Sequence, residues 1–259
     1  MGTRPCTSAL TFDGVETRMN KKVLVAIIAY NEEKNIRATI QDLLDSALGY
    51  DIVLIDNGSY DRTVDIARDM GIPYVSHFIN SGSSAGTLMT YFNYAYRYGY
   101  EILCQFDGDG QHIAAELPKI IEPILRNEAD YVIGSRFLSK EGFQSYAVRR
   151  AGIRIFSFIN SKIVGKRITD ITSGARAYNR KVIEFFANKY RHEVYDTNQL
   201  LLLSHFAGAR IVEVPVVMRE RLHGSSEFHI FNALSFPATC LINIVGTLLQ
   251  GSTIKKGME

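Results

Sequence analysis

Asp107-Gly108-Asp109 follows directly on an apolar run. On an extended or turning backbone this spacing puts both carboxylates on the same side, and the glycine lets a ligand approach the chain closely. Paired hard oxygen ligands suit Mg²⁺ or Mn²⁺, which completes its shell with water and substrate phosphate oxygens. Gln111 and His112 add an amide oxygen and an imidazole within reach of the same ion. The pattern calls for a phosphorylated ligand, although a DxD by itself is also a common surface turn. Asp56-Asn57-Gly58-Ser59 offers a second carboxylate, suited to accept hydrogen bonds from a base or ribose, or else an Asx turn capping the next helix. Tyr30-Asn31-Glu32 is a third acidic turn, and equally a helix start.

The elements that must position these turns can be read from periodicity. Val23 to Ala29 is a continuous apolar run of the kind buried on both faces of a parallel sheet. After the polar break at residues 30–35, Ile36, Ile40, Leu43, Leu44 and Ala47 recur at helical spacing. The unit repeats as a strand Asp51 to Ile55, a turn, and a helix Arg62 to Met70 ending at Gly71. Tyr74 to His77 is predicted as a short strand, Leu88 to Tyr98 as a helix and Glu101 to Phe106 as the strand leading into the DxD. Further on, helices are predicted at Ala115 to Arg126, Val148 to Val164 and Thr197 to Phe206, with strands at Tyr131 to Gly134 and Arg210 to Val217. This alternation gives βαβ units and a mainly parallel sheet, with ligands at the carboxyl ends of the strands, where all three acidic turns lie.

Composition narrows the function class. With 259 residues, 46% apolar and 22% charged, the chain can bury a large core and is neither disordered nor a polytopic membrane protein. Twenty-nine Lys plus Arg against 27 Asp plus Glu, a net charge of +2, is too balanced for bulk nucleic-acid binding. Cys6, Cys104 and Cys240 form no CxxC pair, which argues against a disulfide framework or a structural zinc site and for a reducing compartment. Residues 1–19 read as a leader without a secretory core, with Met19 as an alternative start. Residues 228 to 254 hold no Asp, Glu, Lys or Arg. Polar residues such as Asn232, Asn243 and Thr247 and the proline Pro237 argue against a spanning helix, whereas Leu234, Ala238, Leu241, Val245 and Leu248 form a helical stripe. An amphipathic helical tail over 230–259 that lies on a membrane or binds a partner is expected ahead of simple packing on the core, and Lys255 and Lys256 favour an anionic lipid surface.

Taken in order, Ala29-Tyr30-Asn31-Glu32-Glu33-Lys34-Asn35-Ile36, Ile55-Asp56-Asn57-Gly58-Ser59-Tyr60-Asp61-Arg62-Thr63, Phe106-Asp107-Gly108-Asp109-Gly110-Gln111-His112, Gly134-Ser135-Arg136-Phe137, Asp170-Ile171-Thr172-Ser173-Gly174 and Glu213-Val214-Pro215 resemble the family 2 glycosyltransferases, most of all the dolichol-phosphate mannose synthase branch. The resemblance implies a single GT-A domain over about 20–229, Rossmann-like, acting as an inverting transferase of a sugar from a nucleotide diphosphate sugar. The implied acceptor is a polyprenyl phosphate or a lipid-linked or cell-surface glycan. By position it puts Tyr30, Glu32 and Asp56, beside Ala29 and Asp107, at the nucleotide-sugar, and Asp107, Asp109 and Gln111 on the metal. It puts Arg221 near the diphosphate, and Arg136 with Arg149 or Arg150 at an acceptor phosphate, where those helix arginines could equally form a wet face. Asp196 is the candidate base for a hydroxyl acceptor, or a helix cap. Where lipid-phosphate-using relatives carry a late lysine this chain has Glu227, and the loop from Asn80 to Gly86 lacks their basic residue. The resemblance implies work at the cytoplasmic face of a membrane as a peripheral protein, and a homo-oligomer is compatible with it. The rival readings are a nucleotidyltransferase of similar fold, which needs a basic glycine loop where residues 29–32 are acidic, and a noncatalytic subunit binding a membrane partner through its tail.

Overall fold

The computed structural model describes residues 23–80, 85–139, 141–143, 147–190, 194, 196–221, 223 and 230–254. β1 (Val23–Ala29) leads into α1 (Ile36–Asp45), β2 (Asp51–Asp56) into α2 (Thr63–Asp69), and β3 (Tyr74–Ser76) is followed by α3 (Ala85–Arg97). β4 (Ile102–Asp107) leads through a 3₁₀ turn, Ala114–Glu116, into α4 (Leu117–Leu125). β5 (Tyr131–Ser135) runs straight into the short α5 (Arg136–Ser139), and α6 (Ala147–Val164) follows. β6 (Arg176–Asn179), α7 (Arg180–Glu184) with a π-helical turn at Phe185–Lys189, α8 (Thr197–Phe206), β7 (Ile211–Pro215) and α9 (Ile230–Ile254) complete the order. The leader and Lys255 and Lys256 lie outside the described residues, as do Glu227 and residues 81–84.

Seven strands form one sheet in the order β3-β2-β1-β4-β6-β5-β7. β1 pairs in parallel with both β2 and β4, so the chain leaves β1 to one side and returns to its other side. That reversal opens a crevice at the carboxyl ends of β1 and β4, the place where open α/β sheets bind ligands. Along β1, Leu24 and Ala26 join the core made with Leu88 and Phe92 of α3, while Val25 and Ile27 join the one made with Ile40 of α1 and Ile120 of α4. Both faces of the strand are covered, which is what its unbroken apolar run requires. Fully burying one such aliphatic side chain is worth about 1.5–3 kcal/mol.

Two features differ from the sequence expectation. β6 is antiparallel to β4 and β5 and lies between them. It was not predicted because Arg176-Ala177-Tyr178-Asn179 has no apolar run, and its charged residue is completely buried in the sheet. The tail helix α9 packs one face on the body of the protein and leaves another outside. Cys240, Asn243, Ile244 and Thr247 are buried, Gly251 meets the Phe206 ring of α8, and Tyr190 donates to Gln250 at 3.1 Å. Ala238, Leu241, Val245 and Leu248 of the expected stripe are exposed. No helix among the described residues is long and apolar enough to cross a membrane.

Candidate active site

The registers place the acidic turns at one level: Ala29 is opposite Asp56, and Ile28 is opposite Asp107. The turns after β1 and β2 are tied together. Asn31, at φ 53°, donates its N–H to Ser59 Oγ at 2.8 Å and accepts from the Tyr60 N–H at 3.1 Å, while the Glu32 N–H reaches Thr63 Oγ1 at 2.8 Å. Asp56 is fully buried and accepts from the Ser59 N–H at 3.2 Å and from Ser76 Oγ at 2.6 Å, which fixes the turn without capping α2, whose N-cap is Arg62. Gly58 has φ 79°, and a Cβ there would lie 2.7 Å from the Ile79 carbonyl carbon, so the turn needs a glycine. Tyr30 packs edge-on to the exposed Tyr60, with ring centroids 6.2 Å apart.

Asp107 and Asp109 sit at the switch point. Gly108 donates to the Ile28 carbonyl at 2.8 Å, which locks this turn to the end of β1. His112 Nε2 is 3.3 Å from Asp107 Oδ2. Burial alone would raise the Asp107 carboxyl, but the His112, Gln105 and Arg136 groups outweigh it and hold it below the usual carboxylate range. Burial, and then the neighbouring Asp107 carboxylate, push Asp109 up. Two half-buried carboxylates that repel one another fit a divalent cation. Among the described residues no three His, Cys, Asp or Glu side chains converge into a metal cage, so this is an open two-carboxylate set of the kind that leaves positions for substrate oxygens. Gln111 is beside it, with its backbone carbonyl accepting from Arg219 N–H at 2.8 Å and its amide donating to the Arg219 carbonyl at 3.4 Å.

Arg221 crosses to the turn after β1, where it ion-pairs with Glu32 and donates through Nε to the His223 carbonyl at 3.0 Å. Asn35 donates to the other Glu32 oxygen at 2.6 Å. Burial pushes the Glu32 carboxyl up in spite of both donors.

Two expected residues, Arg136 and Asp196, have partners within the protein. Arg136, expected at an acceptor phosphate, has its fork on Asp170, Nε to Oδ2 at 2.7 Å and Nη2 to Oδ1 at 2.8 Å, with Thr172 Oγ1 at 2.8 Å. Its guanidinium is spent inside the protein. Asp196 is the N-cap of α8: Oδ1 accepts from the Gln199 N–H at 2.6 Å and Oδ2 from Asn243 Nδ2 at 2.6 Å. The cap alternative is therefore the one the structure shows. Arg149 lies on α6 with a side chain outside the described residues, whereas Arg150 lines a groove of about 720 Å³ together with Phe137, Arg154, Phe158, Arg167 and Thr169. Arg167 and Thr169 were not singled out in the sequence. Their signal was weak: one basic residue and one hydroxyl in a loop after a helix.

The sequence model described as Glycosyl transferase family 2 matches residues 24–186, which takes in the acidic turns, the DxD and the Asp170–Gly174 segment. The chain belongs to glycosyl transferase family 2. Among its relatives is a UDP-N-acetylglucosamine–dolichyl-phosphate N-acetylglucosaminyltransferase of Methanococcus voltae, 29% identical over 217 residues, 76% of this chain and 85% of that protein. A polyprenol monophosphomannose synthase of Mycolicibacterium smegmatis is 29% identical over 227 residues, covering 83% and 84%. Glucosyl-3-phosphoglycerate synthase from Mycobacterium tuberculosis, crystallised with Mn²⁺ and uridine-diphosphate-glucose, superposes with a TM-score of 0.65 at 17% identity, covering 88% of this chain and 79% of that one. That likeness is one of fold, the GT-A architecture. As a family 2 glycosyltransferase the chain is an enzyme, which sets aside the nucleotidyltransferase and noncatalytic readings.

Proposed function

We propose that this glycosyltransferase moves a sugar, with inversion, from a nucleoside diphosphate sugar to the phosphate of a polyprenyl phosphate, working at the cytoplasmic face of a membrane. The observation that carries this reading is the convergence of Asp56, Asp107 and Asp109 at the β1/β4 switch point, with an arginine-lined groove nearby for a second anion. Tyr30 offers an aromatic face to the base, and the buried Asp56 carboxylate holds the neighbouring turn in place for the ribose through Ser59 and Ser76. Asp107 and Asp109, with Gln111 beside them, would hold Mg²⁺ or Mn²⁺, whose charge offsets that of the leaving diphosphate. Arg221 adds a guanidinium fork for the same diphosphate and exchanges Glu32 for it when the donor binds.

A phosphate acceptor is an anion already and needs no strong base, whereas a sugar hydroxyl must lose its proton. Both oxygens of Asp196 are engaged as a cap and by Asn243, which favours the phosphate. Arg150, Arg154 and Arg167 supply the charge to hold it, and Phe137 and Phe158 supply apolar contact for the first prenyl units. The names of the relatives from Methanococcus voltae and Mycolicibacterium smegmatis also point to a polyprenyl acceptor. The outward apolar face of α9 would rest on the lipid surface that presents it. The test is a panel of UDP-, GDP- and dTDP-sugars with Mn²⁺, offered polyprenyl phosphate, the free polyprenol or an oligosaccharide. Transfer to the phosphate but not to the polyprenol is expected, and transfer to the oligosaccharide alone would reject the acceptor assignment.

A further inference from the structure

Among the described residues Arg176 is the largest fully buried side chain, and no carboxylate there is in ion-pair contact with it, Asp196 and Asp107 acting on it only through space. Its donors go instead to backbone. Nε reaches the Ser173 carbonyl at 2.7 Å, Nη2 the Ile171 carbonyl at 2.6 Å and Nη1 the Thr197 carbonyl at 3.0 Å, with Tyr131 Oη also bound. An apolar residue of similar volume could fill a core position at no electrostatic cost, so a buried guanidinium spent on main-chain oxygens implies that those oxygens must be held in place. The Ser173 and Ile171 oxygens belong to the loop 169–174, whose other end is fixed by Glu213 of β7. The Glu213 carboxylate accepts from the Thr169 N–H at 2.9 Å and the Asp170 N–H at 2.8 Å.

What this doubly anchored loop presents is the active site. Asp170 and Thr172 hold Arg136, and Gly174 faces the Asp107 carboxylate so closely that a Cβ there would lie 2.6 Å from Asp107 Cγ. We propose that Arg176 and Gly174 are positioning residues for the cation site: Arg176 clamps the 171–174 loop from beneath, and the bare glycine backbone then sets where the Asp107 carboxylate stands. The same clamp joins the loop to the first turn of α8 through the Thr197 carbonyl. This assignment rests on the glycosyl-transfer reading for its catalytic consequence but not for its binding consequence.

The test uses the full chain as wild type, Arg176→Lys, which keeps a charge but loses the planar fork, and Gly174→Ala, which leaves Arg176 untouched. Mn²⁺ binding is titrated by paramagnetic resonance without any sugar donor, Tm is measured, and kcat and donor KM are obtained with polyprenyl phosphate. Displacing a catalytic group by about 1 Å costs roughly 100-fold in rate. Both variants are therefore expected to lose about that factor in kcat and at least roughly tenfold in Mn²⁺ affinity, with donor KM changed less. Gly174→Ala should do so with Tm close to wild type. Wild-type Mn²⁺ affinity and kcat in folded Gly174→Ala, or in Arg176→Lys corrected for its folded fraction, overturns the assignment. Normal Mn²⁺ binding by the wild type with no sugar transfer at all overturns the glycosyl-transfer reading instead.

Discussion

At the residue scale, the site depends on how buried charges are partnered. Arg221 is committed to Glu32 in the absence of donor, and Glu32 is buried enough that its carboxyl is pushed up even so. Arg221→Ala should lower kcat by roughly 100- to 1,000-fold, the usual loss for one preorganised charge donor at a leaving group. Because Arg221 is one of the groups pulling the Glu32 carboxyl down, its removal should also move the Glu32 titration to higher pH, measurable by NMR of the side-chain carboxyl. An unchanged Glu32 titration would show that the pair does not form in solution. Arg136 behaves differently. Its fork closes on Asp170 at the base of the crevice, so Asp170→Asn should cost stability by leaving a buried guanidinium half paired, about 3–5 kcal/mol, read as a fall in Tm.

At the element scale, α9 carries an exposed stripe of Leu241, Ile242, Val245, Leu248 and Leu249, from 47% exposed at Leu248 to 76% at Leu249. This i, i+1, i+4, i+7, i+8 spacing lies on one side of the helix, away from Cys240, Asn243, Ile244 and Thr247. Ile242→Glu together with Leu249→Glu should abolish association with anionic liposomes and reduce transfer to membrane-embedded acceptor by about tenfold or more. Transfer to a detergent-dispersed acceptor should be unchanged, because neither residue touches the crevice. Unchanged liposome binding would reject the membrane role. Leu241, Val245 and Leu248 of this stripe were legible in the sequence because helical spacing and the missing charges are local facts, whereas Ile242 and Leu249 were not singled out. That the same helix also buries an opposite face against α8 was not, because Cys240, Asn243 and Thr247 do not read as a core pattern. β1, β2 and β4 were legible because both faces are covered and their runs are unbroken. β6 was hidden because it opens on Arg176, whose burial depends on carbonyls of the loop just before it. Arg136 and Asp196 show the same limit: residue type gave the chemistry available, and partners 34 and 47 positions away decided its use.

At the scale of the whole molecule, a mainly parallel sheet with a switch point between β1 and β4 gathers residues from separate chain segments into a crevice, and an antiparallel strand, β6, ties β4 to β5 beside it. A donor that binds only this assembled state must stabilise it, by about 2.7 kcal/mol at a hundredfold excess over its Kd. Thermal unfolding with Mn²⁺ and the cognate nucleotide-sugar should therefore rise by several degrees, and the rise should vanish with EDTA or in Asp109→Ala. The most direct test of the central claim is transfer of a labelled sugar from its nucleoside diphosphate to polyprenyl phosphate, with wild type and Asp109→Ala compared in Mn²⁺. The expected result is a lipid-linked labelled sugar of inverted anomeric configuration from the wild type and at least about 100-fold less from Asp109→Ala. Full transfer by Asp109→Ala, or no lipid-linked product from the wild type with any donor, would contradict it.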